Sequence, residues 1–151
     1  MIDLEKKLRD LEGRCDGLVP RCESQLHGYE HCRQVALLAG RIAAEIGADV
    51  EAAMLAGLLH DCGRVDDGTG SAHAVDSARL ARTLLLERFG HLDVERICDA
   101  IARHADGGTT QDPLSGALWD ADRLTLPRIG IRISMEMLST LPGRRMAAGN
   151  T

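Results

Sequence analysis

Aromatic side chains are nearly absent from this chain of 151 residues, of which they make up 2%. The whole supply is Tyr29, Phe89 and Trp119. Sheet proteins draw heavily on aromatic and β-branched residues, whereas the alanine and leucine that dominate the apolar residues here favour helices. At 44% hydrophobic residues, the chain can nevertheless bury a core. The composition therefore excludes an all-β protein and predicts a helical one.

Basic residues are fewer than acidic residues, and few of the basic residues are lysines. The chain has 18 basic and 23 acidic residues, a formal net charge of −5, and its only lysines are Lys6 and Lys7. This balance argues against a domain that binds duplex nucleic acid or an anionic membrane through a basic face. The sequence also lacks a run of the roughly 18–20 apolar residues that a bilayer span requires, so we expect no membrane contact.

The five cysteines include no Cys-x-x-Cys pair, and the first ten residues are charged rather than apolar. An odd number of unpaired cysteines without a secretory leader indicates reduced thiols and predicts a cytoplasmic protein. Cys32, Cys62 and Cys98 fall in apolar helical stretches, where we expect them to pack as small hydrophobic side chains.

Apolar residues recur at steps of three and four along most of the chain, which is the spacing of amphipathic helices. A short leading helix is predicted through Leu4, Leu8 and Leu11, and a longer one over residues 29–46 that Gly47 ends. Asp49 is the expected N-cap of the next helix. Further helices are predicted over residues 50–61, 72–88, 94–104, 114–126 and 131–141.

These elements predict an all-α fold, a compact single-domain helical bundle. Residues 1–20 form the leading helix and a loop, residues 21–142 form the bundle, and residues 143–151 are expected to be a frayed tail because they have little to bury.

Several polar side chains interrupt the apolar faces of the predicted helices. His31 continues the stripe of the second helix, and His60 and Asp61 end the most apolar helix. His104 and Asp122 extend the buried faces of two later helices. Because buried polar and charged groups need partners, such a set indicates a shared metal ion. Imidazoles and carboxylates suit a divalent ion such as manganese, iron, nickel, cobalt, zinc or magnesium.

The order of these residues resembles the HD-domain metal-dependent phosphohydrolase superfamily, whose pattern is a His, a His-Asp pair and a later Asp on an all-helical bundle. The resemblance covers roughly residues 27–135. Its motifs are HGYEH at residues 27–31, HD at residues 60–61 and WDADRL at residues 119–124. It implies that the ligands of the primary metal ion are His31, His60, Asp61 and Asp122.

Asp120 is the main rival of Asp122, because the two side chains point about 200° apart on a helix and only one can easily reach the ion. In some branches of the superfamily two additional histidines hold a second metal ion. His73 and His104 could do so here, with Asp61 bridging two ions, or they could contact substrate phosphate. A site with one ion is the first expectation and a dinuclear site the second.

The resemblance implies hydrolysis of a phosphoester or pyrophosphate bond in a nucleotide or other small phosphorylated metabolite. Arg123 is the first candidate for a phosphate contact and Arg64 the second. Asp61 itself, or an acidic residue of the loop such as Asp66 or Asp67, could accept the proton of the attacking water.

Two alternatives remain open from the sequence. One is a di-iron oxygenase of the same superfamily, which would use the six residues His31, His60, Asp61, His73, His104 and Asp122. The other is a catalytically silent metal-binding or sensory HD domain. The relatives that the chain resembles have Trp, Gly and Asp where this chain has Cys32, Ala74 and Thr125, which affects the substrate pocket rather than the primary ligands.

Overall fold

The structure, a computed structural model, describes residues 1–15, 28–68 and 70–149. In this part of the chain seven α-helices and two short 3₁₀ helices occur, and no strand. The prediction of an all-α fold is confirmed. The α-helices are α1 (Leu4–Arg14), α2 (Tyr29–Ile46), α3 (Val50–Leu59), α4 (Ala72–Arg88), α5 (Val94–Ala102), α6 (Pro113–Leu124) and α7 (Leu141–Gly149).

Aspartate caps begin four of these helices. In each case the carboxylate accepts a hydrogen bond from the backbone amide three residues later, which satisfies one of the unpaired amides of the first turn. The prediction that Asp49 caps α3 is thereby confirmed, and Gly47 ends α2 in the left-handed conformation at a φ of 73°. The four capping residues are Asp3, Asp49, Asp93 and Asp112.

Helix α3 lies at the centre of the bundle, as its uniformly apolar sequence predicts. Every residue of α3 from Ala52 to Leu59 is buried. It packs closely against α2 at Gly57, where a Cβ atom would lie 2.6 Å from Ala36 Cα. Helix α6 covers both α2 and α3, and α5 bridges α4 and α6. This packing places the end of α3 in the interior of the protein.

The C-terminal part differs from the prediction. A helix over residues 131–141 was expected, but a 3₁₀ helix, Leu126–Ile129, ends at Gly130, whose φ of 78° is left-handed, and only a second short 3₁₀ helix, Met135–Met137, precedes α7. The expected frayed tail is also wrong for residues 143–149, because α7 docks on the bundle with Ala147 1% exposed. Pro142 stands in the first turn of α7, where proline is tolerated.

The predicted loop through Pro20, together with Cys22 and His27, lies outside the described residues. Cys32 and Cys98 are buried, Cys62 is half-buried, and these cysteines are free thiols. His91, on the surface, pairs with Glu51. Across the described ranges, we find no helix that combines the length and apolar character needed to cross a bilayer.

Candidate metal centre

Five helix ends meet at one point of the bundle and supply the candidate site residues. His31 lies in the first turn of α2, His60 caps the C-terminus of α3, and Asp61 follows it. Asp122 lies in the last turn of α6. The four side chains that the resemblance implied as primary ligands are therefore brought together from three helices.

The donor atoms of these four residues are close enough to share one ion. His31 Nε2 lies 3.2 Å from Asp122 Oδ1 and 3.3 Å from His60 Nε2. Asp61 Oδ2 lies 3.6 Å from His31 Nε2 and 3.4 Å from His60 Nε2. Ligands about 2.1 Å from a first-row metal stand roughly 3.0–3.4 Å from one another. The spacing and the chemistry of these donors both fit a divalent ion.

A second set of donors faces the other oxygen of Asp61. His73 Nε2 and His104 Nε2 lie 3.4 Å and 3.5 Å from Asp61 Oδ1. His73 begins α4, and His104 stands just after α5. Asp61 thus lies between two groups of donors, which is the arrangement that a dinuclear site requires.

Backbone carbonyls at helix ends orient two of the imidazoles. His60 Nδ1 donates to Gly57 O at 2.6 Å, and His104 Nδ1 donates to Ile101 O at 2.7 Å. Each bond places the ring proton on Nδ1 and leaves the Nε2 lone pair directed toward the carboxylates. A histidine that binds a metal is commonly held in this way.

The electrostatics of the primary donors favour a positive charge among them. Burial lowers the pKa of His31, and Asp122 only partly offsets this effect. Burial acts in the same direction on His60, but the carboxylates of Asp61 and Asp122 raise its pKa well above the ordinary value. Burial acts to raise the pKa of Asp122, yet hydrogen bonds from His31 and His60 hold it well below the usual range. A ring proton or a metal ion can supply the charge that these carboxylates require.

The structure separates the roles of Asp120 and Asp122. Asp120 is fully buried on the opposite side of α6, where its carboxylate accepts hydrogen bonds from Ser139 N at 2.7 Å and Thr140 N at 2.8 Å. The Thr140 hydroxyl donates a third bond to it, at 2.7 Å. Asp120 therefore anchors the segment before α7, and Asp122 is the carboxylate that faces His31 and His60.

The predicted phosphate contact of Arg123 is not supported by its position. Its guanidinium donates to Gly108 O at 2.6 Å and to the carbonyl oxygen of Met137, away from the donor cluster. The reason is helical phase, because the residue after Asp122 is rotated by about 100°. Arg128, which the sequence analysis missed, instead lines the pocket beside Asp122. The end of α6 at Leu124 redirects the chain and brings Arg128 back to the site.

Arg64 lies at the site, as predicted. Its Nε atom is 3.6 Å from Asp61 Oδ1, and its Nη2 atom is 3.0 Å from His73 Nε2. Arg64 and Arg128 both line an open pocket of about 360 Å³ that also contains Asp67. The carboxylate of Asp66, in contrast, accepts a hydrogen bond from the Gly68 amide at 2.8 Å.

Cys32, which was predicted to pack as a small hydrophobic side chain, lies close to two of the donors. Its Sγ atom and one donor atom each of His60 and Asp61 lie within 4.8 Å of one another. Burial raises the pKa of the Cys32 thiol, which favours its neutral form, and the side chain is fully buried.

Comparison with known proteins agrees with the geometry. Residues 28–126 match the family described as HD domain. This range contains all the donors described above, and the chain belongs to the HD domain family.

Relatives of known sequence include Ribonuclease Y of Geobacter metallireducens, 37% identical over 113 residues, which are 74% of this chain and 20% of that protein. Ribonuclease Y of Thermus thermophilus is 39% identical over 104 residues, 68% of this chain and 17% of that protein. The chain thus spans a fifth or less of the length of these two relatives.

A solved structure with a similar fold is a predicted HD superfamily hydrolase from an uncultured Thermotogales bacterium. It has a TM-score of 0.67 and 26% sequence identity, over 97% of this chain and 83% of that one. The family and this neighbour support a metal-dependent hydrolase of the HD type.

Proposed function

We propose that this protein is a metal-dependent phosphohydrolase that acts on a nucleotide or another small phosphorylated metabolite. The observation that carries the proposal is the convergence of His31 Nε2, His60 Nε2, Asp61 Oδ2 and Asp122 Oδ1. The two imidazole nitrogens lie 3.2–3.6 Å from each other and from both carboxylate oxygens. These residues would hold the primary ion. Such an ion would act as a Lewis acid that polarises a phosphoryl oxygen, and it would lower the pKa of a bound water molecule.

The two arginines of the pocket bind the phosphate of the substrate. Arg64 and Arg128 line the pocket that Asp61 and Asp122 also line. A guanidinium matches the geometry of phosphate oxygens and stays charged at any working pH. Bound between them, a phosphate group lies against the donor cluster with its negative charge balanced.

Asp67 is the residue that accepts a proton from the attacking water. It lines the same pocket, whereas Asp61 Oδ2 belongs to the primary donor set and Asp61 Oδ1 faces His73. A carboxylate beside the phosphate site can take up the proton as the new bond to phosphorus forms.

The pocket favours recognition of the phosphate over recognition of a base. Its volume of about 360 Å³ suits a small metabolite. Its lining consists mainly of charged, small and aliphatic residues together with His73 and His104, and it includes none of the chain's three aromatic residues. A nucleotide would therefore be held chiefly through its phosphates.

A second candidate function is hydrolysis of RNA, and the relatives named Ribonuclease Y are the observation that favours it. The chemistry at phosphorus would be the same, because a phosphodiester is cleaved by the same kind of metal-assisted attack. The net charge of −5 provides little general attraction for a polyanion, so we place the small-metabolite substrate first.

The experiment that tests the proposal is a measurement of product release with added Mn²⁺. The panel contains p-nitrophenyl phosphate, bis(p-nitrophenyl) phosphate, nucleoside mono-, di- and triphosphates, sugar phosphates and short single-stranded RNA. Asp61→Ala should lower the rate at least about a hundredfold, because metal activation contributes several kcal/mol to the barrier. The matched control is Asp99→Ala, which removes an exposed carboxylate on α5.

Each outcome distinguishes the candidate functions. Release from small phosphates that depends on Asp61 supports the proposal, and release from RNA alone supports a ribonuclease. Purified protein that contains iron and consumes oxygen with a substrate would favour the oxygenase. A bound ion without turnover on any substrate would favour a silent HD domain. Full activity of Asp61→Ala would contradict the assignment of the site.

A further inference from the structure

We propose that Arg64 competes with a divalent ion for His73 Nε2, so that Arg64 controls whether the second donor set holds an ion. The second donor set consists of Asp61 Oδ1, His73 Nε2 and His104 Nε2. The inference rests on the proposed function, because it takes the primary ion at His31, His60, Asp61 and Asp122 as given.

Arg64 and a metal ion compete because His73 Nε2 has only one lone pair. Arg64 Nη2 lies 3.0 Å from His73 Nε2. A guanidinium carries only N–H donors, so His73 Nε2 must be the acceptor of this hydrogen bond. An imidazole nitrogen has a single lone pair in the plane of the ring. His73 can therefore accept the Arg64 proton or bind a metal ion, and it cannot do both.

Arg64 also supplies the charge that the second donor set would otherwise obtain from an ion. Its Nε atom is 3.6 Å from Asp61 Oδ1, the same oxygen that faces His73 and His104. A second divalent ion would add its charge directly beside the guanidinium and be repelled by it.

The loop after α3 holds Arg64 in this position and leaves space for it to move. Arg64 Nη1 donates to Gly68 O at 2.7 Å and to Asp66 O at 3.3 Å. A smaller hollow of about 180 Å³, lined by Val65, Gly70 and Ala72 among others, adjoins the main pocket, and Arg64 and His73 line both. A phosphate that draws Arg64 toward itself would release His73.

The test is to count Mn²⁺ ions bound per chain by equilibrium dialysis and elemental analysis. Wild-type protein should bind one ion tightly and a second one weakly. Arg64→Gln should bind the second ion at least about tenfold more tightly, because it loses the competing donor and its charge. Adding His73→Ala to Arg64→Gln should remove this gain in affinity for the second ion. The matched control is Arg128→Gln, which removes a charge from the same pocket and leaves the His73 contact in place.

The outcomes separate this inference from the proposed function. A wild-type chain that binds no ion would overturn the metal site and both proposals. One ion in both wild type and Arg64→Gln, or an equal gain in Arg128→Gln, would overturn only the role of Arg64.

If Arg64→Gln does not fold, the wild-type protein still provides the test. One equivalent of Zn²⁺ should shift the ¹⁵N resonances of His31 Nε2 and His60 Nε2 and leave that of His73 Nε2 in place. A shift of His73 Nε2 at the first equivalent would contradict the competition.

Discussion

Asp61 joins the two halves of the site, because each of its carboxylate oxygens faces a different pair of imidazoles. Oδ2 faces His31 and His60, and Oδ1 faces His73 and His104. Asp61 is 1% exposed, and it directly follows the residue that caps α3. Its place in the chain therefore follows from where the most buried helix ends.

Asp120 and Asp122 lie two residues apart on α6 and should differ in what their removal affects. Asp120→Ala removes three hydrogen bonds to a buried carboxylate and should lower the free energy of unfolding by about 2–4 kcal/mol. It should leave one tightly bound Mn²⁺ per folded chain. Chemical denaturation and ion counting measure the two effects.

Asp122→Asn is the complementary variant. It weakens the primary donor set and should reduce Mn²⁺ affinity at least about tenfold, because a neutral amide is a poorer ligand for a divalent cation than a carboxylate. Loss of the ion in Asp120→Ala together with its retention in Asp122→Asn would reverse the assignment made here.

The contact between α2 and α3 depends on the absence of a side chain at Gly57. A Cβ atom there would lie 2.6 Å from Ala36 Cα and 2.7 Å from Ala36 N, both backbone atoms that cannot move independently. Gly57→Ala should therefore lower the free energy of unfolding by about 1–3 kcal/mol or more through overpacking. His60 follows three residues later, so the second expected effect is weaker Mn²⁺ binding.

Gly13 provides the matched control for this substitution. It also lies within a helix, α1, but no atom lies within 4 Å of the position of its Cβ. Gly13→Ala should raise stability by about 0.5–1 kcal/mol, since alanine loses less backbone entropy on folding. An equal loss of unfolding free energy in Gly57→Ala and Gly13→Ala would show that the α2–α3 contact is not the cause of the destabilisation.

Asp112, the N-cap of α6, should make part of the free energy of unfolding depend on pH. Burial acts to raise the pKa of Asp112, but hydrogen bonds from the Ser115 amide and the Arg96 guanidinium lower it below the ordinary value. A carboxyl group whose pKa is lower in the folded state contributes stability above its unfolded pKa and loses it as the pH falls through the folded value.

Asp112→Ala should accordingly cost about 1 kcal/mol at pH 7 and progressively less below about pH 4. Urea denaturation of both proteins across this range measures the difference. A difference that stays constant down to pH 2 would mean that the carboxylate does not contribute as an ionised cap.

Most of the bundle and the primary donors could be predicted from the sequence, because both are encoded locally. Helix α2 was predicted over residues 29–46 and α4 over residues 72–88, and both match the structure. His31 shares the apolar stripe of its own helix, so its inward direction follows from helical phase.

The role of Asp120 and the position of Arg128 could not be predicted from the sequence, because they depend on contacts between distant parts of the chain. Asp120 binds backbone amides 19 and 20 residues away, and this anchoring holds the segment that leads to α7. The position of Arg128 depends on the turn that ends α6, which periodicity alone does not reveal. Arg123 is a different case, because its helical phase relative to Asp122 was available in the sequence and argued against a contact with phosphate.

The described part of the molecule is a helical scaffold that brings five helix ends to one candidate metal centre. Hydrolysis by this protein should require a divalent ion held by His31, His60, Asp61 and Asp122. The most direct test is the rate of p-nitrophenyl phosphate hydrolysis by protein stripped with a chelator, measured as Mn²⁺ is returned. The account predicts negligible hydrolysis in the stripped protein, recovery as about one ion per chain is bound, and no comparable recovery in Asp122→Asn. Undiminished hydrolysis by the stripped wild-type protein would contradict it.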